Sequence, residues 1–207
     1  MKNLETEYKW DGNSPRAFAR MKRAAEQLAR TEKTEKLHLR DIYLDDAEHT
    51  LHAQKIVLRL RGCGDKWEAT LKTRTEVKNG KAVRKEYTLP LPDAHDFAHA
   101  FSALQNKKMW QKVSLKNLRA QFEIRNCRRI FLLEFQGALA ELALDNVEIL
   151  VLGRRVKIKE IELELKKGRA PRLDRLAEQL TRLSGLRAAT FSKVRTAESL
   201  LSLWGDK

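Results

Sequence analysis

Glu160, Glu162 and Glu164 occupy every second position of Ile158-Lys159-Glu160-Ile161-Glu162-Leu163-Glu164-Leu165-Lys166, with Ile161, Leu163 and Leu165 between them. In an extended chain successive side chains point to opposite faces, so the three carboxylates and Lys166 share one face and the aliphatic residues the other. Unit charges about 4 Å apart repel by roughly 4 kcal/mol at an effective dielectric near 20. Such a row calls for something positive opposite it: a metal ion, arginines on neighbouring strands, or bulk water. The chain opens with the same spacing, Glu5, Glu7 and Lys9 on one face and Leu4, Tyr8 and Trp10 on the other. Basic residues repeat the device with the opposite sign: Arg59 and Arg61 in Ile56 to Arg61, then Thr70, Lys72 and Arg74, then Arg84 with Glu86, and later Asn126, Arg128 and Glu134 in one register. Carboxylates suit hard divalent cations, and guanidinium forks suit phosphate oxygens. Strands that sort the two signs in this way would set a divalent-metal site beside a polyanion site.

The elements that must position these residues are legible in turn. Ser14-Pro15 is an N-cap followed by proline at the first helical position, and the spacing of Phe18, Met21, Ala25 and Leu28 predicts a helix from Pro15 to about Arg30. Strands are expected over Leu37 to Asp45, Ile56 to Arg61, Trp67 to Arg74 and Ala82 to Leu91, with Asn79-Gly80 as a hairpin turn. Asp93 caps a short helix through Phe97, Phe101 and Leu104, and Asn106 to Leu118 carries no clear pattern. A long strand follows from Leu118 to Phe135, then a turn at Gly137, a strand over Glu141 to Asp145, and a lead-in from Ile149 to Val156. Gly168 and Pro171 end the acidic strand. Leu173, Leu176, Leu180 and Leu183 mark a helix over Arg172 to Leu186, a short strand is expected over Thr190 to Arg195, and a terminal helix carries Leu200, Leu203 and Trp204.

Size and charge narrow the classes. A chain of 207 residues is read as a single domain, 1–207, large enough to bury a core. Forty-two Lys and Arg against 28 Asp and Glu give +14, which favours an anionic partner: nucleic acid, a membrane surface or a polyanionic small molecule. The basic strands lack interleaved aromatic platforms, which speaks against nucleic acid. Cys63 and Cys127 support neither a disulfide framework nor a zinc site and fit a reduced cytoplasmic compartment. No charged-then-apolar leader opens the chain, and the apolar runs at Ile130 to Phe135 and Ile149 to Leu152 are too short for a membrane span. About eight strands, mostly joined by hairpins, fit either a half-solvated antiparallel sheet under helices or a closed antiparallel barrel with an apolar outer wall and a polar lumen. The sorting of charge favours the lumen.

Glu5-x-Glu7-x-Lys9 resembles the opening signature of the CYTH superfamily, the triphosphate tunnel metalloenzymes. Further resemblances follow in that family's order: Ile42-Tyr43-Leu44-Asp45, Arg59-x-Arg61, Trp67 through Thr70-Leu71-Lys72, Arg84-x-Glu86 before Leu89-Pro90-Leu91, Arg128, Glu141 through Asp145, Glu162-x-Glu164 before Gly168, and Ser192-Lys193. The nearest resemblance is to the bacterial inorganic triphosphatases, here without the helical CHAD domain that often follows. It implies an α+β fold, an eight-stranded antiparallel tunnel with a polar lumen clad by helices. It also implies that Glu5, Glu7, Asp145, Glu162 and Glu164 hold Mg²⁺ or Mn²⁺. Lys9, Arg59, Arg61 and Lys72 would act in catalysis, and these four with Arg84, Glu86, Arg128 and Lys193 would bind a triphosphate. Glu86 has a second reading, as a residue that only orients Arg84; Glu134 and Glu141 are read as ion-paired beside the site, and Arg125, of opposite parity to Arg128, is left outside it. His38, His49 and His52 lack metal-ligand spacing and are read as surface or structural.

The implied activity is hydrolysis of inorganic triphosphate to pyrophosphate and phosphate, with no protein nucleophile required. Thiamine triphosphatase, adenylate cyclase and a non-catalytic polyphosphate binder are the alternatives, and a homodimer is the candidate assembly. The sequence departs from the family pattern at Thr88, where a second glutamate is common. It departs again at Lys55 and His52, in place of glycine and arginine, and at Arg195, two residues after Lys193 rather than three.

Overall fold

The computed structural model describes residues 2–73, 76–78, 81–105 and 117–205. Arg74, the Asn79-Gly80 turn, the side chain of Leu4 and residues 106–116 lie outside the described residues. Among the described residues nine strands form: β1 (Lys2–Asp11), β2 (Arg30–Asp45), β3 (Val57–Cys63), β4 (Lys66–Lys72), β5 (Glu76–Lys78), β6 (Lys81–Leu91), β7 (Arg119–Phe135), β8 (Ala138–Val151) and β9 (Arg154–Lys167). With them stand helices α1 (Ala17–Leu28), α2 (Thr50–Ala53), α3 (Phe97–Gln105), α4 (Ala170–Ser184) and α5 (Lys193–Gly205).

Every strand pairing is antiparallel, in the order β1-β9-β8-β7-β2-β3-β4-β6, and β6 pairs back onto β1 to close the ring. The short β5 pairs with Lys81 to Val83 of β6, on the edge that β4 occupies further along, so β4 and β5 together supply one side of the ring. Closure leaves no long pair of free sheet edges, and period-2 alternation then sends one residue set inward and the other outward.

The outward set is apolar where helices cover it. Trp10, Leu133, Leu142, Leu144, Ile161 and Leu163 pack with Met21 of α1 and with Leu173, Leu176 and Leu180 of α4. Ile42, Leu58, Leu60, Trp67, Leu71 and Leu91 pack with Leu51 of α2 and with Ala100 and Leu104 of α3. Removing each such side chain from water contributes roughly 1.5–3 kcal/mol. The third cluster lies on the inner face. Tyr43, Phe122, Ile124, Val147, Ile149 and Val151 share the inward parity of Asp41, Arg128 and Asp145, and they pack against Val194, Ala197, Leu200 and Trp204 of α5. Helix α5 therefore forms an apolar floor at one end of the ring, with the charged inner residues beyond it. No described helix is long and apolar enough to cross a membrane.

Three local differences from the sequence expectation have physical causes. Thr190 to Arg195 is not a strand: Ser192 caps α5, its Oγ accepting from Arg195 N–H at 3.3 Å and its carbonyl from Thr196 N–H at 2.9 Å. This capping outweighs the β-branched character of Thr190 and Val194, and only Ala188 makes an isolated bridge, to Trp10. The stretch Ile149 to Val156 belongs to two strands, joined by a tight Leu152-Gly153 turn with φ of 48° and 73° at the two positions. That left-handed pair matches the twist of the flanking strands. Finally, β2 starts at Arg30, directly after α1, and pairs with β7 along its whole length.

Lys55 shows what a departure from the family pattern does to the backbone. Its N–H donates to the His52 carbonyl at 2.9 Å, and Ile56 N–H to the Leu51 carbonyl at 2.9 Å. This is the helix-ending pattern whose left-handed position favours glycine, yet lysine holds it at φ 58°. Left-handed backbone costs a non-glycine residue roughly 1–2 kcal/mol. Lys55→Gly is accordingly expected to stabilise the fold by about 1 kcal/mol, after glycine's greater unfolded-state entropy is subtracted. A urea midpoint that moves up with an unchanged slope is the expected reading; an unchanged or lowered midpoint contradicts it.

Candidate functional site

Strand register alone gathers the charged residues. Glu5 lies opposite Arg84 across β1–β6, Glu7 opposite Glu164 and Lys9 opposite Glu162 across β1–β9. Arg128 lies opposite Asp145 across β7–β8, Asp145 opposite Glu160 and Glu141 opposite Glu164 across β8–β9. Asp41 faces Arg61 across β2–β3, and Lys72 faces Glu86 across β4–β6. Directly opposed residues point to the same side of a sheet, so all of these share the inner face. Lys193, expected on a strand, comes instead from the first turn of α5.

Three groups result. The deepest holds Asp145, Glu160 and Glu162, with one oxygen of each within 4.8 Å of the others. The Lys193 ammonium sits among them, 2.8 Å from Asp145, 2.6 Å from Glu160 and 2.8 Å from Glu162. Arg128 donates two hydrogen bonds to Asp145, at 2.8 and 2.7 Å, and contacts Glu162. Lys9 contacts Glu162 and lies 3.3 Å from Glu7 and 3.5 Å from Glu160. The second group centres on Glu5, held by Arg84 and by Lys72 at 3.2 Å; Lys72 also reaches Glu86 at 2.8 Å. In the third, Arg61 makes a bidentate pair with Asp41 at 2.6 and 2.7 Å. Arg59 lies 3.8 Å from Asp41 and donates to Thr70 at 3.0 Å. Glu164 and Glu141 sit nearer the rim with Lys166, at 2.9 and 3.3 Å.

Burial sets the electrostatics. Asp145 and Glu160 are 0 % exposed and Lys193 7 %. Burial pushes the Asp145 and Glu162 carboxyls up, but Lys193 and its basic neighbours overcome it and hold both below the usual range. At Glu160 burial wins, and the carboxyl is raised despite Lys193 and Lys9. Burial would lower the Lys193 ammonium, but Asp145 and Glu160 hold it well above its ordinary value. Lys72 goes the other way, lowered by burial and by Arg84 beside it. Four buried polar groups lack a hydrogen-bond partner among the described residues: Ser14 Oγ, Arg59 Nε, the Asn126 side-chain amide and Glu7 Oε1. The last is ion-paired with Arg84 at 2.8 Å without the angle for a hydrogen bond.

The structure thus brings all of the expected site residues onto one inner face. The acidic strands β1, β9 and β8 stand side by side and meet basic residues at their two borders, β1 against Arg84 of β6 and β8 against Arg128 of β7, while Lys9 lies opposite Glu162 and Lys193 enters from a helix. The expected sorting of signs holds strand by strand, with Asp41, Glu68 and Glu86 as acids within the basic arc; which strands adjoin is what the sequence does not display. Two inner residues were not among the expected ligands. Glu160 stands in the same period-2 row as Glu162 and Glu164, and Asp41 shares the parity of Tyr43 on β2. Thr88 donates to Glu86 at 3.2 Å. Glu134 accepts from Gly137 N–H in a turn, Arg125 is exposed against Glu123, and His52 pairs with Glu198. Asp145, Glu160 and Glu162 form a hard oxygen donor set suited in kind to a divalent cation, at the place the Lys193 ammonium now occupies.

Asp41 offers a test of how these pairs hold the fold. Burial raises its carboxyl, and Arg61 with Arg59 brings it from 3.8 down to about 2. A depressed carboxyl stabilises fully above its unfolded value, and that contribution is lost as pH falls towards 2, here about 2 kcal/mol. Asp41→Asn leaves two buried guanidinium groups short of an anion and is expected to cost roughly 3–5 kcal/mol at neutral pH. Urea unfolding should show the gap to wild type narrowing between pH 4 and pH 2; a constant gap contradicts the assignment.

The CYTH domain family matches residues 3–197. The inorganic triphosphatase of Haemophilus influenzae is 33% identical over 144 residues, 70% of this chain and 40% of the relative, so the chain spans well under half the length of that curated protein. Among solved structures, a Hippeastrum protein studied as an adenylyl cyclase and described as having a dominant triphosphatase activity superposes with a TM-score of 0.70 at 19% identity, covering 94% of this chain and 95% of that one. The PH1819 protein of Pyrococcus horikoshii gives 0.63 at 16% identity, covering 94% and 98%. A ring of eight antiparallel strands with a charged inner face and family-wide sequence coverage agree, and the chain belongs to the CYTH domain family.

Proposed function

We propose that this chain is a divalent-metal-dependent triphosphatase that hydrolyses inorganic triphosphate to pyrophosphate and phosphate inside the ring. The observation that carries the reading is the charge balance of the inner face. Among the described residues, Lys9, Arg59, Arg61, Lys72, Arg84, Arg128, Lys166 and Lys193 are outnumbered there by Glu5, Glu7, Asp41, Glu68, Glu86, Glu141, Asp145, Glu160, Glu162 and Glu164. The cations are the right groups for phosphate oxygens, yet most are already held by carboxylates. A triphosphate of roughly four to five negative charges can take them only if the carboxylates gain other positive partners. The name of the Haemophilus relative, inorganic triphosphatase, supports the same activity.

Glu5, Glu7, Asp145, Glu162 and Glu164, joined by Glu160, would hold Mg²⁺ or Mn²⁺, which supplies Lewis acidity and lowers the pKa of a water nucleophile. The chain's own residues do the rest. Arg61, fixed by Asp41, backs Arg59, whose unpartnered Nε is available to a phosphate oxygen. Lys72 and Arg84 exchange Glu5 for the substrate, and an anion beside Lys72 relieves the neighbouring positive charge that depresses its ammonium. Lys9, Arg128 and Lys193 lie together at the deeper end, where they can neutralise charge developing on the leaving pyrophosphate. The inward-facing strand aromatics Tyr43 and Phe122 stack on each other at 4.7 Å beneath α5. They offer no platform for a nucleobase or a thiamine ring, which favours free triphosphate. The free thiols Cys63 and Cys127 suit a reducing, cytoplasmic compartment.

Phosphate release from triphosphate, ATP and thiamine triphosphate, each with Mg²⁺, Mn²⁺ or chelator, tests this directly. Free triphosphate should give the highest catalytic efficiency, and chelator should abolish turnover. Turnover undiminished in chelator removes the metal requirement, and a cyclic product from ATP makes the chain a cyclase. A hydrogen bond to a charged group contributes roughly 1.5–3 kcal/mol, so Arg59→Ala and Lys72→Ala should each lower efficiency roughly 10- to 150-fold. Activity within a factor of about two of wild type in both variants would assign those residues to the fold alone.

A further inference from the structure

We propose that His95, Asp96 and His99, on the outside of the ring, form a second metal site that takes a borderline transition ion, Zn²⁺, Ni²⁺ or Cu²⁺. Each of the three offers one ligand atom, and these atoms lie within 4.8 Å of one another. The two imidazole rings face each other with centroids 3.7 Å apart at 38°. Residues four apart around a helix start lie on one side of the turn. Asp96 is the N-cap of α3: its Oδ1 accepts from His99 N–H at 2.9 Å and lies 2.7 Å from His99 Nδ1. The helix cap and the imidazole orientation are thus one device. A neutral His99 ring with its proton on Nε2 turns its Nδ1 lone pair to the same side as the Asp96 carboxylate, so an ion there takes both in place of their mutual contact.

Packing does not explain the arrangement. His99 and Asp96 side chains are 53% and 54% exposed, and His95 is exposed as well. A helix N-terminus by itself disfavours a cation; the Asp96 carboxylate offsets that, with exposed Asp93 nearby. Two neutral imidazoles and one carboxylate are borderline ligands that select zinc, nickel or copper over magnesium. The site is chemically distinct from the all-carboxylate inner set and does not depend on the activity proposed for it. An ion there would brace the start of α3, the helix that covers β3, β4 and β6, which carry Arg59, Lys72 and Arg84.

The chain has five histidines, so imidazole resonances report the site residue by residue. Zn²⁺ is titrated into the full chain with Mg²⁺ in large excess to occupy the inner carboxylates. The His95 and His99 signals should shift together and saturate at one equivalent, while those of His38, His49 and His52 stay in place. His95→Ala and His99→Ala should each weaken Zn²⁺ binding by at least about tenfold in calorimetry, with helical content and Mg²⁺-supported turnover unchanged. Unmoved His95 and His99 signals, equal shifts of all five histidines, or wild-type zinc affinity in both variants would each overturn the assignment.

Discussion

The inner ion pairs depend on closure of the ring. Bringing an ammonium or carboxylate out of water costs several kcal/mol even after relaxation, and this interior holds a dense set of both. The cost is tolerable because the β6–β1 and β7–β8 pairings set Arg84 on Glu5 and Arg128 on Asp145 in bidentate or near-bidentate contact, and Lys9 and Lys193 enter among the carboxylates of β1, β8 and β9. Such pairs specify an arrangement more than they stabilise it, since removing one partner leaves the other buried and alone. The net stabilisation must come from elsewhere, and it does: the apolar outer wall under α1, α3 and α4, and the floor under α5, contain nearly all of the fully buried large side chains.

The fold therefore inverts the usual arrangement of a half-buried sheet. Helices take the convex side, and the concave side keeps its charges. Helix α5 couples the two. Its apolar face seals one end of the ring through Ala197, Leu200 and Trp204, while its first residue carries the Lys193 ammonium into the acidic cluster. Any cation that takes the Asp145, Glu160 and Glu162 oxygens must displace that ammonium, so seating of the helix and occupancy of the cluster are linked by the same three carboxylates.

Most of this was legible in sequence because period-2 alternation is a strong signal when one face is charged and the other aliphatic, as in Glu160 to Leu165. The β1, β3, β4, β6 and β9 positions follow from that pattern. Neighbour relations did not follow, because strand order depends on loop paths and closure. The acidic and basic residues are sorted by strand, as the pattern implies, but only the strand order displays that β1, β9 and β8 stand together with Arg84 and Arg128 at their two borders. Thr190, Phe191 and Val194 favour extended backbone and so predict Lys193 on a strand, but the hydroxyl of Ser192 caps a helix there instead. Asp41 escaped notice because one charge in Asp41-Ile42-Tyr43 makes no pattern; its meaning appears only beside Arg61. His95 and His99 stand at four-residue spacing, but two histidines and one aspartate make too weak a pattern to point to a site before the start of α3 is placed.

The central claim is that triphosphate and the inner carboxylates compete for the same lysines and arginines, with divalent metal as the arbiter. Calorimetry of triphosphate binding to wild type and to Glu5→Gln and Glu162→Gln, in metal-free buffer, tests it most directly. Weak or undetectable binding to wild type is predicted, with tenfold or greater tightening in each variant because a competing anion has been removed, at roughly 1.4 kcal/mol per factor of ten. Tight metal-free binding to wild type, left unchanged by either substitution, would contradict the account.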